Sequence, residues 1–412
     1  MARAFALLVA LLGLALLPSC LAMVSYENHR YIRVNTPNEV LHQWFFDTFD
    51  VLEANYDHFE LRVDPAQFNL LRNLGFDIEV LNDNVEALLD ADRPSPNRID
   101  WTKMDLTALN TTWFSEYHTY AELKTWYQQN AATYGATFIP SIGKSHQGRD
   151  LFAIVFGTAG KPGIYLQGLQ HAREWVGGSS VNYLTWYFLT QDRSFLPNYQ
   201  FIIVPVVNPD GYEYSWTTDR LWRKNRRSNG ASFGVDTNRN WNSHWGQGGS
   251  SSNPASDTYM GPSVASEPEV QAIVKFFLTY TNIIAAFDIH SYSQLILRPY
   301  GWKTGSSEHE AQHFEAGSII QSEIRAVDGK FFENIHSIDL YITTGTSSDW
   351  YYDEEVKTKF GHRIYAFTLE LRPTTAVPGF NLPPDQIIPS GEELVPAFRQ
   401  FIAFANANQI RT

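Results

Sequence analysis

Three kinds of apolar patterning follow one another along the chain. Residues 4–17 form one unbroken apolar run after a lone Arg3. Leu17-Pro18 breaks it, and small side chains stand at Cys20 and Ala22. This predicts a secretory signal over residues 1–22; the run is too short and too poorly flanked for a membrane span. Next, strand-like pieces (30–34, 58–63, 77–80) alternate with helix-like ones (38–54, 65–74), predicting a small α+β unit. Residues 91–112, with two prolines and many polar turn formers, read as a linker. Beyond it, apolar runs rich in β-branched and aromatic residues (164–168, 201–206, 283–289, 364–371) predict buried strands. Amphipathic segments at 119–134, 179–190, 267–280, 308–326 and 392–405 predict helices. The fold class is therefore α/β: a mixed, mostly parallel central sheet with helices on both faces, preceded by a small α+β domain. Repeats and low-complexity segments are absent.

Composition narrows the function. With 412 residues, 44% hydrophobic and 15% aromatic, the chain has material for a large core. Its net charge of −13 argues against nucleic acid, and the longest basic runs are the pairs Arg223-Lys224 and Arg226-Arg227. Cys20, the single cysteine, leaves with the signal, so the mature chain is expected to hold no disulfide. Asn110-Thr111-Thr112 is an N-glycosylation sequon in a polar stretch.

Three polar clusters fall where the strands are expected to end, the usual place for chemistry in such a sheet. His171 and Glu174, in HAREW, follow the first of the buried strands. His290 follows AAFDI, and Glu370 lies inside the apolar FTLEL. A carboxylate within a buried strand is costly unless paired or facing a metal. His171, Glu174 and His290 can supply three ligands to Zn²⁺ and leave a fourth position open. H-x-x-E alone is a weak signal, more often structural than metal-binding.

The longer motifs carry more. Together with HAREW, the stretches NPDGYEYSW, RLWRKNRR, GVDTNRNW, FDIHSYSQLILRPYG, LYITTGTSSDWYYD and FTLELRP resemble the zinc carboxypeptidases of the A/B type. The resemblance runs in order from about Phe114 to the C terminus, and the first block resembles that family's activation segment. It implies a signal peptide (1–22), an activation segment with linker (23–112) and a catalytic domain (113–412). It implies one Zn²⁺ per chain on His171, Glu174 and His290, with Asp236 orienting His171. Glu370 resembles the general base for the zinc-bound water, and Arg223 the arginine that polarises the scissile carbonyl. Asn238, Arg239 and the mobile Tyr341 resemble the groups that hold the substrate's C-terminal carboxylate, and Arg173 a contact further along the peptide. Relatives often carry a disulfide where this chain has Ser232 and Ala255, and the family pattern makes Ser291–Tyr292 and Arg372–Pro373 cis.

Each group also has a structural reading. Arg226 and Arg227 suit a solvated basic face, Asn238 a helix cap, and Tyr341 a half-buried aromatic. A binding protein that has lost its chemistry would be expected to lack a ligand or the base, and none is missing. His309-Glu310-Ala311-Gln312-His313 matches H-E-x-x-H, and Glu333 lies 20 residues beyond His313. It follows Thr304-Gly305-Ser306-Ser307, which places it in a hydrophilic first helical turn rather than in an apolar helix facing a cleft.

The implied activity is a secreted, extracellular hydrolase made as a zymogen, removing the last residue from peptide and protein C termini. A trypsin-like protease cutting near Arg98 or Lys103 would activate it; residues 24–98 hold 14 acids against six arginines, a balance of −8 that suits a basic cleft. The side-chain pocket is expected around Leu297, Gly301, Thr343, Ser348 and Thr368. Ser348 stands where relatives that remove basic residues have an acid, so neutral, hydrophobic or aromatic C-terminal residues are expected. No nucleic-acid or membrane partner is expected, and the chain is expected to be a monomer.

Overall fold

The computed structural model describes residues 23–36, 41–92, 98–107 and 111–410. The expected signal with Cys20 and the sequon residue Asn110 lie outside the described residues.

The first unit is a four-stranded antiparallel sheet. Its strands are β1 (Arg30–Asn35), β2 (Asp50–Ala54), β3 (His58–Val63) and β4 (Asp77–Asn82), in the order β2-β3-β1-β4. Helices α1 (His42–Thr48), α2 (Pro65–Asn73) and α3 (Val85–Asp92) complete it. A capping box starts α2: the Asp64 carboxylate accepts from Gln67 N–H, and the Gln67 side chain accepts from Asp64 N–H. Ile32, Val34, Phe45, Phe59 and Leu61 form the core of this unit. The helix expected over 38–54 is shorter. Phe49 is extended, and β2 follows it, paired with β3. Periodicity misread DVLEA because a five-residue strand repeats too few times to separate period 2 from 3.6.

The second unit is built on an eight-stranded sheet. Its strands are β5 (Thr137–Lys144), β6 (Asp150–Gly157), β7 (Gly163–Gly168), β8 (Gln200–Val204), β9 (Ile283–Ser291), β10 (Leu295–Arg298), β11 (Glu333–His336) and β12 (Tyr365–Leu371). The order is β11-β10-β12-β9-β7-β8-β6-β5. The centre β12-β9-β7-β8 is parallel, while β6 and β5 join one side antiparallel and β10 runs antiparallel to β12 on the other. Sequence patterning found the four central strands and missed those flanking them. Pro140 and Gly143 disguise β5, where the ladder with β6 shifts register between Ile139 and Gly143.

Around this sheet run α4 (Tyr120–Tyr134), α5 (Trp175–Trp186), α6 (Pro209–Thr217), α7 (Pro268–Phe277), α8 (Glu310–Asp328), α9 (Ser337–Leu340), α10 (Ser347–Tyr351), α11 (Glu354–Phe360) and α12 (Ile387–Ala407). Every residue of β7 and β9 is buried because both faces are covered. Alternate residues serve opposite faces. Leu166, Phe287 and Phe367 pack with Phe398 and Phe401 of α12 on one face. Tyr165, Ala286 and Ala366 pack with Phe277 of α7 and Trp350 of α10 on the other.

Two consequences bear on the site. The strand ends carry His171, His290 and Glu370 to one edge, and His290 and Glu370 are direct register partners across β9 and β12. Ser291–Tyr292 and Arg372–Pro373 are cis, as expected, and so are Pro299–Tyr300 and Val377–Pro378.

Candidate metal centre and active site

After β7 the chain turns at Leu169, whose φ of 54° is unusual for a branched residue. The turn delivers His171 and Glu174 just ahead of α5. His171 Nδ1 lies 2.7 Å from Glu174 Oε1 and 3.1 Å from His290 Nδ1, and His290 Nδ1 lies 2.8 Å from Glu174 Oε2. Ligand atoms of the three residues all fall within 4.8 Å of one another, the one such group among the described residues. All three are buried.

The opposite ring nitrogens face carboxylates. His171 Nε2 is 3.1 Å from Asp236 Oδ1, as the resemblance implied, and His290 Nε2 is 2.9 Å from Asp288 Oδ2. Both rings are thereby turned with Nδ1 toward the shared point. Two imidazole nitrogens and one carboxylate around a common point fit a zinc ion with an open position. Burial alone would raise Glu174, but the two rings outweigh it and hold its carboxyl well below the usual range, so it is an ionised donor.

Sequence reasoning left Asp288 unassigned, although an acid inside an all-buried strand two residues before a histidine ligand was a readable signal. Its Oδ2 also accepts hydrogen bonds from Gln170 Nε2 and Ser347 Oγ.

A cavity opens beside this group, lined by His171, Glu174, Arg223, Asn238, Arg239, Tyr341, Ser348 and Glu370 among others. Glu370 lines it, the one residue of β12 that is half-buried rather than buried. Burial, with Glu174 adding to it and His290 opposing it, pushes its carboxyl up to about 8. A bound dication would oppose that rise. Arg223 donates from Nη2 and Nε to Asp236 Oδ2, at 2.8 and 3.2 Å, and its Nη1 is 3.9 Å from Glu174 Oε1. Arg239 is anchored on Gly249 O (3.0 Å) and Asn238 O (2.9 Å), leaving Nη2 3.4 Å from Tyr341 Oη. Asn238 Oδ1 accepts from Ser347 N–H at 3.0 Å, which presents its amide end to the cavity. Leu297, Thr343, Ser348 and Thr368 line the same cavity.

Arg173 stands apart from that lining. It is fully buried; Nη1 donates to Asp50 Oδ1 (2.8 Å), Nη2 to Val51 O (3.1 Å), and its guanidinium stacks on Phe380. Asp50 and Val51 belong to β2, and so do Leu52, Glu53 and Ala54, which line the cavity itself. Burial, helped by Glu60, pushes Glu53 up to about 8. Phe46 packs on Tyr341 with ring centroids 5.2 Å apart, Ser256 Oγ donates to Phe46 O, and Ser251 Oγ to Asp47 Oδ1. The strand missed from the sequence is thus the one that reaches the site.

Other readings are settled by packing. Arg226 is no solvated face: it stacks on Tyr214, Trp222 and Phe233. Arg227 pairs with Glu267 at 3.2 Å. No cysteine bridges Ser232 and Ala255; instead Lys224 Nζ reaches into the 228–260 loop, donating to Pro254 O and Ser256 O. In the H-E-x-x-H stretch, Glu310 pairs with Arg298 and His336, and His313 is fully buried against Tyr352, Tyr365 and Phe367. This stretch does not converge on a metal point, although His313 is core rather than surface.

The profile of the family described as zinc carboxypeptidase matches residues 123–397. Zinc carboxypeptidase A 1 of Anopheles gambiae is 31% identical over 419 residues, covering 93% of this chain and 91% of its own. Carboxypeptidase B of Astacus astacus is 36% identical, covering 68% of this chain and 94% of its own. Among solved structures, carboxypeptidase A of Helicoverpa armigera superposes with a TM-score of 0.80 at 26% identity, over 93% of this chain and 98% of its own. Thrombin activatable fibrinolysis inhibitor gives 0.76 at 26% identity, over 92% of this chain and all of its own.

Proposed function

The chain belongs to the zinc carboxypeptidase family and is a metallocarboxypeptidase with a zinc site; from that premise we propose that it is a secreted zymogen whose mature form removes neutral, hydrophobic or aromatic C-terminal residues. One observation carries the reading. His171, Glu174 and His290 converge at the sheet edge beside Glu370, in a cavity that Arg223, Arg239 and Tyr341 also line.

His171, Glu174 and His290 would hold the zinc, which when bound would supply Lewis acidity for the water and the scissile carbonyl. Glu370 takes the water's proton and returns it to the departing amine. Arg223, kept charged and in place by Asp236, stabilises the negative charge that develops on the carbonyl oxygen. Arg239, Asn238 and Tyr341 hold the terminal carboxylate, which restricts cleavage to the last peptide bond. Ser348 lines the side-chain pocket with Leu297, Thr343 and Thr368, apolar and hydroxyl groups that offer a lysine or arginine side chain no countercharge.

Latency follows from β2. Leu52, Glu53 and Ala54 occupy the approach to Glu370 and Arg239, and Asp50 and Val51 take up Arg173. Residues 23–112 act as the activation segment, and a trypsin-like cut in the linker releases it. The name of the thrombin activatable relative, matched over both units, supports this reading. Residues 1–22 direct secretion, and no described helix is long and apolar enough to cross a membrane. The enzyme works as a monomer on peptide and protein C termini. Mass spectrometry of peptides incubated with the processed chain, with and without a chelator, tests the reading. Loss of single C-terminal residues, abolished by chelator, is expected; chelator-insensitive or internal cleavage would refute it.

A further inference from the structure

Four hydroxyls in the cavity have no protein partner among the described residues: Ser291 Oγ, beside the metal group, and those of Ser348, Thr343 and Thr368. Ser348 stands in α10, Thr343 on the loop ahead of it, and Thr368 on β12 beside its ladder partner Leu297 on β10. These last three are 3%, 9% and 6% exposed. Neighbouring hydroxyls are engaged: Ser337 Oγ donates to Arg298 O, Thr344 Oγ1 to Gly248 O and Ser347 Oγ to Asp288, and Thr346 Oγ1 accepts from Asp349 N–H. Ser337 and Thr346 also line the cavity but spend their hydroxyls on protein, whereas those of Ser348, Thr343 and Thr368 remain open to it.

A buried hydroxyl without a partner is unfavourable, and each can donate once and accept twice. A hydrocarbon side chain seated here would strand all three. A carboxamide offers two N–H donors and a carbonyl acceptor to the same wall. The charged groups of the lining, Arg223, Arg239, Glu174 and Glu370, have the roles given under Proposed function, and Glu53 leaves with the activation segment, so none is left to pair with a charged side chain. The acid next to Ser348, Asp349, is not part of the lining, and both its oxygens accept from Gly301 N–H.

We propose that this pocket selects a C-terminal residue with an uncharged, hydrogen-bonding side chain, glutamine foremost, over an apolar side chain of equal length. The inference rests on the pocket assignment made under Proposed function and narrows the neutral class named there. Ser348, Thr343 and Thr368 are the residues that read the side chain. A site built to hydrogen-bond its substrate discriminates against an analogue lacking the polar group, because its own groups are left unpaired.

The test uses the zinc-loaded full chain after limited trypsin treatment, and one peptide series ending in Gln, Met, Leu, Phe, Glu or Lys. The expected result is a kcat/KM for Gln roughly fivefold above that for its isostere Met, with Glu and Lys slowest. In Thr368→Val and Ser348→Ala the Gln-to-Met ratio, read within each variant, should fall toward or below one. A wild-type ratio of one or less overturns the inference, while release of Met, Leu and Phe would leave the carboxypeptidase reading standing. Ratios unchanged in both variants also overturn it. If no peptide loses its C-terminal residue, the proposed function itself fails.

Discussion

Asp288 Oδ2 lies 2.9 Å from Nε2 of His290, two residues further along the same strand and on the same face. The carboxylate faces the ring nitrogen opposite Nδ1, which meets His171 and Glu174, and Gln170 and Ser347 hold the carboxylate in place. Asp288→Ala is expected to weaken zinc binding by about 10- to 100-fold, the usual effect of removing such a support. Chelator competition on the purified chain measures this. An unchanged affinity would mean that strand geometry alone orients His290.

Latency predicts a specific cut. Arg98 is held by Glu116 (3.2 Å), Glu122 (2.7 Å) and Trp216, whereas the Lys103 side chain is 81% exposed. Proteases cut where backbone and side chain are accessible. Trypsin is therefore expected to cleave after Lys103 first, and activity to rise with that fragment. Lys103→Gln should delay both. Full activity of the uncut chain, with all linker bonds intact by mass spectrometry, would overturn the assignment of residues 23–112.

His313 gives a stability prediction. Its Nδ1 is 3.2 Å from His309 O, while Nε2 accepts from Ala366 N–H at 3.4 Å, so the ring is neutral with the proton on Nδ1. Burial lowers its pKa from 6.5 to about 3. With the folded value below the unfolded one, this contribution to stability is complete above pH 6.5 and is lost as pH falls toward 3. Between pH 6.5 and 5 the loss is about 2 kcal/mol. His313→Gln should flatten that part of a denaturation profile and leave zinc content unchanged. Loss of zinc in this variant would revive the H-E-x-x-H stretch as a metal site.

What the sequence made legible depended on local versus long-range information. The central strands were readable because burial on both faces leaves continuous apolar runs such as IIAAFDI. His171, Glu174 and His290 stood out as polar groups at the ends of those runs and through the longer motifs around them. Edge strands such as β5 were hidden by Pro140 and Gly143, tolerated only because the strand lies at the sheet edge. Asp50–Ala54 was misassigned because pairing with β3 and contact with Arg173, over a hundred residues away, decide its conformation. The free hydroxyls of Thr343, Ser348 and Thr368 emerge only when a loop, a helix and a strand meet at one cavity.

The central claim is that His171, Glu174 and His290 hold zinc while Glu370 takes the proton of the attacking water. Glu370→Gln separates these roles, because an amide keeps the size of the side chain but cannot accept that proton. Zinc content and turnover of a C-terminally hydrophobic peptide, measured on the same processed sample, give the direct test. The expected result is one zinc per chain with kcat reduced about 10²- to 10⁴-fold. Near wild-type turnover, or loss of zinc along with activity, would contradict the claim.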